Sequence, residues 1–113
     1  MNVQVEPQKN FTLARLSGEF NLGDENNIAD TLQPIVAEPE SKLAIDLSGL
    51  SQINSSGLSE LINVVTRARM TRSRVVLVSP TAFVMGVFEV TRLHRWFDIV
   101  DDLASAATRL NHR

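Results

Sequence analysis

The chain has 113 residues, of which 43% are hydrophobic, and its formal net charge at pH 7 is -2. This length and composition predict a single domain over residues 1–113 and exclude a disordered chain. We expect neither membrane insertion nor nucleic-acid binding, because no apolar run approaches the ~20 residues of a membrane span and the charge is slightly negative. No signal peptide is visible at the N-terminus.

Cysteine is absent, and the only histidines are His94 and His112. A disulfide, a thiol nucleophile and a cysteine metal site are therefore excluded, and two histidines cannot enclose a metal ion alone. We expect no metal and no cofactor. The lack of cysteine also fits a cytoplasmic location, which is our expectation.

Two short strands are predicted over residues 3–17, with Pro7 between them and Gly18 at the end of the second. Residues 24–37 predict a helix, for which Asp24 is a suitable cap. Pro34 lies inside this helical pattern, so the helix should kink or end there.

Nearly continuous apolar runs at residues 43–50 and 75–80 predict two strands that are buried on both faces. An amphipathic helix lies between them, with Leu58, Leu61, Ile62, Val65 and Ala68 on one face. Strand, helix and strand over this distance predict a βαβ unit with parallel pairing.

The remaining elements continue to alternate between helix and strand. Ser79 can cap a helix over residues 81–90, with Pro80 in its first turn. Residues 97–100 predict an edge strand, and a last helix begins at Asp101 or Asp102. The resulting order, ββαβαβαβα, predicts a one-domain α/β fold.

The stretch "INSSGL", residues 53–58, lies where a buried strand passes into a helix. Ligands and reactive groups gather at such carboxyl ends of strands. One serine can cap the helix, for which Ser56 is the better candidate, and a phosphate on Ser55 would meet free N–H groups and a favourable dipole. Gly57 would leave room for a partner. From the dipeptide alone, a simple turn is the favoured interpretation.

The segment "LAIDLSGLSQINSSGLSELI" resembles the signature of the STAS domain, which bacterial anti-sigma-factor antagonists share with the cytoplasmic tails of sulfate transporters. "ARLSGEFN" at residues 14–21 and "VSPTAFVMGVFEVT" resemble two other landmarks of that family. The resemblance implies a STAS-like fold, with a mixed central sheet of about five strands and about four helices.

The resemblance also implies a function. In the antagonists, an anti-sigma factor with serine kinase activity phosphorylates the first serine of the turn, which is Ser55 here. Phosphorylation breaks the complex with that kinase. The implied partner surface comprises Asn21, Asn54, Ser55, Ser56, Gly57, Phe83 and Met85. Asn54 stands where the family usually has aspartate, and Asn21 stands where the antagonists often have it.

The helix over residues 81–90 has too many apolar residues for one face. Some side chains therefore point outward, towards a partner or a second copy in a homodimer, unless residues 91–97 fold over them. Phe83 or Met85, whichever is exposed, is predicted to contact the partner.

We predict a protein-interaction module rather than an enzyme, because the sequence has no P-loop, no G-x-S-x-G turn and no metal cluster. The favoured role is an anti-sigma-factor antagonist controlled at Ser55. The alternative is a non-phosphorylated STAS subunit of a larger assembly, such as a stress-signalling scaffold or a transporter ATPase complex.

Overall fold

A computed structural model describes residues 1–112 as a five-stranded sheet with four α-helices. The strands are β1 (Asn2–Pro7), β2 (Thr12–Glu19), β3 (Lys42–Gln52), β4 (Arg74–Val78) and β5 (Ile99–Val100). The helices are α1 (Asp24–Ala37), α2 (Ser55–Met70), α3 (Ala82–Val90) and α4 (Leu103–Asn111), and a 3₁₀ turn at Leu93–Arg95 follows α3.

The strands lie in the sheet in the order in which they occur along the chain, from β1 to β5. β1 pairs antiparallel with β2, and each later neighbour pairs parallel. The predicted βαβ unit is β3, α2 and β4. The mixed sheet and the four helices confirm the predicted fold class.

Successive side chains of β3 point to opposite faces of the sheet, and apolar residues form a core on both faces. Leu43 and Ile45 pack on one face with apolar residues of α1, α2 and α3, whereas Ala44 packs on the other face with Ala106 and Leu110 of α4. All three β3 residues are fully buried. Burial on both faces explains the continuous apolar run in this strand.

The helix boundaries correct two predictions and exclude one of the two outcomes predicted for Pro34. α1 does not end at Pro34 but continues to Ala37, because Leu32 and Val36 are buried on either side of the proline. The residue before α1 is Gly23, with φ 94°, and Asp24 is already helical. Ser79 is not the cap of α3, since the Thr81 hydroxyl accepts a hydrogen bond from the Val84 N–H.

Asp102 caps α4 by accepting a hydrogen bond from the Ser105 N–H at 2.7 Å, which confirms one of the two predicted residues. Over residues 1–112, no helix combines the length and the apolar composition needed to cross a membrane.

Candidate functional site

The predicted site residues from three parallel strands come together at one edge of the sheet. We term it the carboxyl edge; it comprises residues 18–22, which are the end of β2 and the segment after it, residues 53–57 after β3 and residues 79–83 after β4. The Ser51 hydroxyl donates to the Gly18 carbonyl at 3.1 Å, and the Thr81 hydroxyl donates to the Leu50 carbonyl at 3.0 Å. These bonds connect β3 to the segments on either side of it.

Asn54 caps α2. Its backbone is extended, and its Oδ1 accepts a hydrogen bond from the Gly57 N–H at 2.9 Å. Ser55 and Ser56 are the first two helical residues, so the prediction that Ser56 is the cap is wrong. An uncharged amide oxygen accepts this bond as a carboxylate would, and the turn therefore does not require aspartate.

Both serines are exposed, and neither hydroxyl has a hydrogen-bond partner within residues 1–112. Their amides precede the first intrahelical bond, from the Leu58 N–H to the Asn54 carbonyl. The first turn of α2 also contains no acidic residue. The positive end of the helix dipole is thus not offset by a carboxylate of its own first turn.

Gly57 is buried beneath the turn. A Cβ on Gly57 would lie 2.6 Å from Cζ of Phe20 and 2.9 Å from Cγ1 of Ile53. Phe20 is itself only 4% exposed. The space that Gly57 leaves is therefore occupied by a side chain of the same chain, and α2 rests directly on the segment that follows β2.

Asn21 is exposed next to Phe20, and its side chain donates to the Glu19 carbonyl at 3.3 Å. Its backbone N–H donates to Oδ2 of Asp24 at 2.7 Å, and the Met1 amino group also binds that oxygen, at 3.0 Å. These two donors, in that order, hold the pKa of Asp24 below its ordinary value. The loop that carries Asn21 is thereby fixed to α1.

Helix α3 divides its apolar residues between the core and the solvent. Val84 and Phe88 are fully buried, and Phe88 packs edge to face against Phe97 with ring centroids 5.0 Å apart. Met85 is half-buried against the core, whereas Phe83 is 55% exposed. Residues 91–97 therefore cover only the inner side of the helix, and Phe83 is the exposed residue of the predicted pair.

Leu22 was not predicted from the sequence as a site residue, yet its side chain is 95% exposed at the carboxyl edge. No periodic pattern marks a single apolar residue in a loop, so only its position in the fold identifies it. Within residues 1–112, no group of three or more histidine, aspartate or glutamate side chains is arranged to hold a metal ion.

The chain is similar to known proteins in both sequence and fold. A model of the STAS domain family matches residues 2–106 of the chain. The anti-sigma-factor antagonist (STAS) domain protein of Planctomyces limnophilus superposes with a TM-score of 0.84 at 17% identity, covering 97% of this chain and 98% of that one.

Two structures of SpoIIAA, an anti-sigma factor antagonist and cell fate determinant of Bacillus, are also similar. The unphosphorylated form has a TM-score of 0.81 at 20% identity and covers 96% of each chain. The phosphorylated form has a TM-score of 0.75 at 19% identity and covers 97% of this chain and 100% of that one. At these identities the similarity shows the fold.

Proposed function

The chain belongs to the STAS domain family, and from this premise we propose that it is an anti-sigma-factor antagonist controlled by phosphorylation of Ser55. The observation that carries the proposal is Ser55 itself, an exposed serine at the first position of α2 with a free hydroxyl. SpoIIAA, which has the same fold, is known in unphosphorylated and phosphorylated forms.

The environment of Ser55 suits a phosphate. The amides of the first turn have no intrahelical partner, the helix dipole is positive there, and the first turn contains no acidic residue that would repel the group. A phosphoserine at this position would therefore be tolerated by the chain itself. Its effect would fall on whatever contacts the carboxyl edge.

The proposed partner surface is the exposed part of the carboxyl edge. It includes Asn21, Asn54, Ser55, Ser56 and Phe83, with Leu22 as an addition; Gly57 and Met85 shape it from beneath. Phe83 and Leu22 supply apolar contact on either side of the serine. A phosphate brings a charge of roughly -1.5 to -2 into this contact and has to be desolvated there, which breaks the complex.

The partner is an anti-sigma factor with serine kinase activity, and the protein acts through binding rather than as an enzyme. In this scheme the unphosphorylated form occupies the anti-sigma factor and frees the sigma factor. Such a role places the protein in the cytoplasm, where transcription occurs.

The test is a binding experiment with the anti-sigma factor captured from native lysate and then purified. We expect wild type and Ser55→Ala to bind it and Ser55→Asp to bind at least 10-fold more weakly, while Asn63→Asp, which adds the same charge on exposed α2 surface, serves as the control. After incubation with that partner and ATP, mass spectrometry should find the phosphate on Ser55. Equal binding by all forms and no phosphate on Ser55 would overturn the proposal.

One observation favours a second role. Asn21 and Asn54 are both uncharged at positions where the resemblance predicts aspartate, and the structure shows that Asn54 caps α2 without any charge. A STAS subunit of a larger assembly needs the docking surface but no phosphoryl transfer. Partner binding that survives in every variant, with no transfer to Ser55, would support this alternative.

A further inference from the structure

A polar pocket of about 530 Å³ opens between the loops that precede β3 and β4 and the end of α4. We term it the basic pocket; its lining includes Glu40, Lys42, Arg72, Arg74, Leu110 and His112. Because β3 and β4 are parallel, they begin at the opposite edge of the sheet from the one at which they end. The basic pocket is therefore separate from Ser55 and from the proposed partner surface.

Three cations line the basic pocket without a matching set of carboxylates. Lys42 and Arg74 are paired residues of neighbouring strands, so two positive charges lie side by side and repel each other. Arg72 is exposed in the loop just before β4. None of the three has an ion-pair partner within residues 1–112. Glu40 is the one acidic residue of the lining, so with His112 neutral the lining carries a formal charge of +2.

The end of α4 uses only part of the hydrogen-bonding capacity of these cations. Nη1 of Arg74 donates to the Arg109 carbonyl at 3.0 Å, and Nζ of Lys42 donates to Oδ1 of Asn111 at 3.3 Å. These bonds satisfy acceptors at the C-terminus of the helix and hold both cations in place. Nε and Nη2 of Arg74 and the whole Arg72 guanidinium have no acceptor in the part of the chain that the structure describes.

The two loops of the basic pocket are held in an uncommon conformation. Glu40 and Arg72 each have φ 59°, a left-handed backbone that residues with a side chain rarely adopt. The Glu40 N–H donates to the Thr71 carbonyl at 2.9 Å, and the Ser41 N–H donates to the Ser73 hydroxyl at 3.0 Å, so each loop fixes the other. Such strained positions cluster at ligand-binding sites, and a preformed pocket loses little entropy when a ligand binds.

We propose that the basic pocket binds a phosphate group, either free or carried by a small metabolite. A phosphate carries a charge of roughly -1.5 to -2 near neutral pH, which the +2 of the lining offsets, and guanidinium forks match its oxygen atoms. The volume of the pocket lies in the range of small-molecule sites, so the phosphate can bear an attached group. Glu40 opposes the anion, and its removal should therefore strengthen binding.

Amide NMR titrations with inorganic phosphate, and separately with glycerol phosphate, test the basic pocket at a constant ionic strength of ~0.15 M. We expect saturable shifts at residues 40–42 and 72–74, with a dissociation constant on the order of 1 mM for inorganic phosphate. Tighter binding of glycerol phosphate would favour a phosphorylated metabolite as the ligand, and the reverse order would favour free phosphate. Shifts confined to residues 54–57, or no saturation up to ~20 mM of either probe, would overturn the inference.

Three variants test which side chains hold the phosphate. Arg72→Asn removes a cation but keeps a residue that tolerates the left-handed backbone, and we expect at least ~5-fold weaker binding. Glu40→Asn removes the opposing carboxylate under the same backbone constraint and should bind about 2- to 5-fold more tightly. Arg67→Gln alters an exposed cation of α2 that does not line the pocket, and its affinity should match wild type. Equal affinity in Arg72→Asn and wild type would contradict the proposed site.

Thermal unfolding gives a second measurement. Inorganic phosphate should raise the melting temperature of wild type more than that of Arg72→Asn, because a ligand that binds only the folded state stabilises it. An equal rise in both proteins would show that the stabilisation does not come from the basic pocket. These experiments use only the purified protein, so their failure would leave the role proposed for Ser55 untouched.

Discussion

Asn54 shows that an uncharged residue can cap α2. Its Oδ1 accepts a hydrogen bond from the Gly57 N–H at 2.9 Å, as an aspartate oxygen would. Neither neighbouring serine is therefore needed as the cap. What asparagine removes is the negative charge next to Ser55. We therefore expect the cap and the chemistry of Ser55 to be separable at this position.

Asn54→Ala should lower the free energy of unfolding by about 0.5–2 kcal/mol, because the Gly57 N–H loses its partner at the start of α2. Ser55→Ala and Ser56→Ala should each change it by less than about 0.5 kcal/mol, since both hydroxyls point to solvent. Urea unfolding of the three variants provides the measurement. A larger loss in Ser56→Ala than in Asn54→Ala would contradict the observed cap.

Asn54→Asp should leave stability nearly unchanged but alter the chemistry of Ser55. One carboxylate oxygen can retain the cap, while the other can accept a hydrogen bond or a proton from the serine hydroxyl. We expect faster phosphorylation and a shorter-lived phosphoserine, because the carboxylate repels the phosphate. Time courses with the same kinase and phosphatase compare the two forms. Identical rates would show that the charge at residue 54 has no influence.

At the scale of elements, burial patterns predicted most of the fold. The continuous apolar run of β3 and the stripe on α2 both report how these elements pack, so their positions were close to those observed. Caps were less predictable, because Asn54, Ser55 and Ser56 are all suitable and only the backbone path selects one. The site could be located by its turn and its resemblance to a family. The contact between Phe20 and Gly57 could not be predicted, because it joins segments that are far apart in the sequence.

Phe83→Asp and Met85→Asp should separate binding from folding. Phe83 is 55% exposed, so its replacement should abolish partner binding while the melting temperature stays close to wild type. Met85 packs against the core, so a carboxylate there should lower the free energy of unfolding by roughly 1–3 kcal/mol. Calorimetry measures the stability of both variants, and a titration measures their binding to the partner. Normal binding by folded Phe83→Asp would remove α3 from the partner surface.

Gly57→Ala should be destabilising although alanine favours helices. The added Cβ would lie 2.6 Å from the buried Phe20 ring, which has to move together with the segment that carries Asn21. We expect a loss of roughly 1–3 kcal/mol in urea unfolding and shifted amide resonances for residues 19–22. Gly86→Ala, where the new Cβ meets nothing within 4 Å, is the matched control and should be neutral or stabilising.

At the scale of the whole molecule, low pH should destabilise the fold, because aspartates at the starts of α1 and α4 become protonated. The Asn21 N–H and the Met1 amino group lower the pKa of Asp24, and hydrogen bonds from Ser105 lower that of Asp102. A lowered pKa contributes stability that is complete above the unfolded-state value of about 3.9 and is lost as the pH falls through the folded-state value.

The urea midpoint should therefore fall as the pH drops below ~4. Asp24→Asn with Asp102→Asn should flatten this dependence, because the amide oxygen can still accept from the Asn21 or Ser105 N–H but does not titrate. An unchanged slope in the double variant would assign the acid sensitivity to other carboxylates.

The strand order of the sheet also bears on how the chain is made. Every strand pairs with the strand that precedes it in sequence, so each new strand and helix can dock onto a finished neighbour as the ribosome extends the chain. The face that carries Ala44 and Val76 is covered after the other face, because its cover, Ala106 and Leu110 of α4, follows all five strands in the sequence. All five strands are thus synthesised before this face is shielded, and we expect a chaperone to bind most apolar surface during that interval.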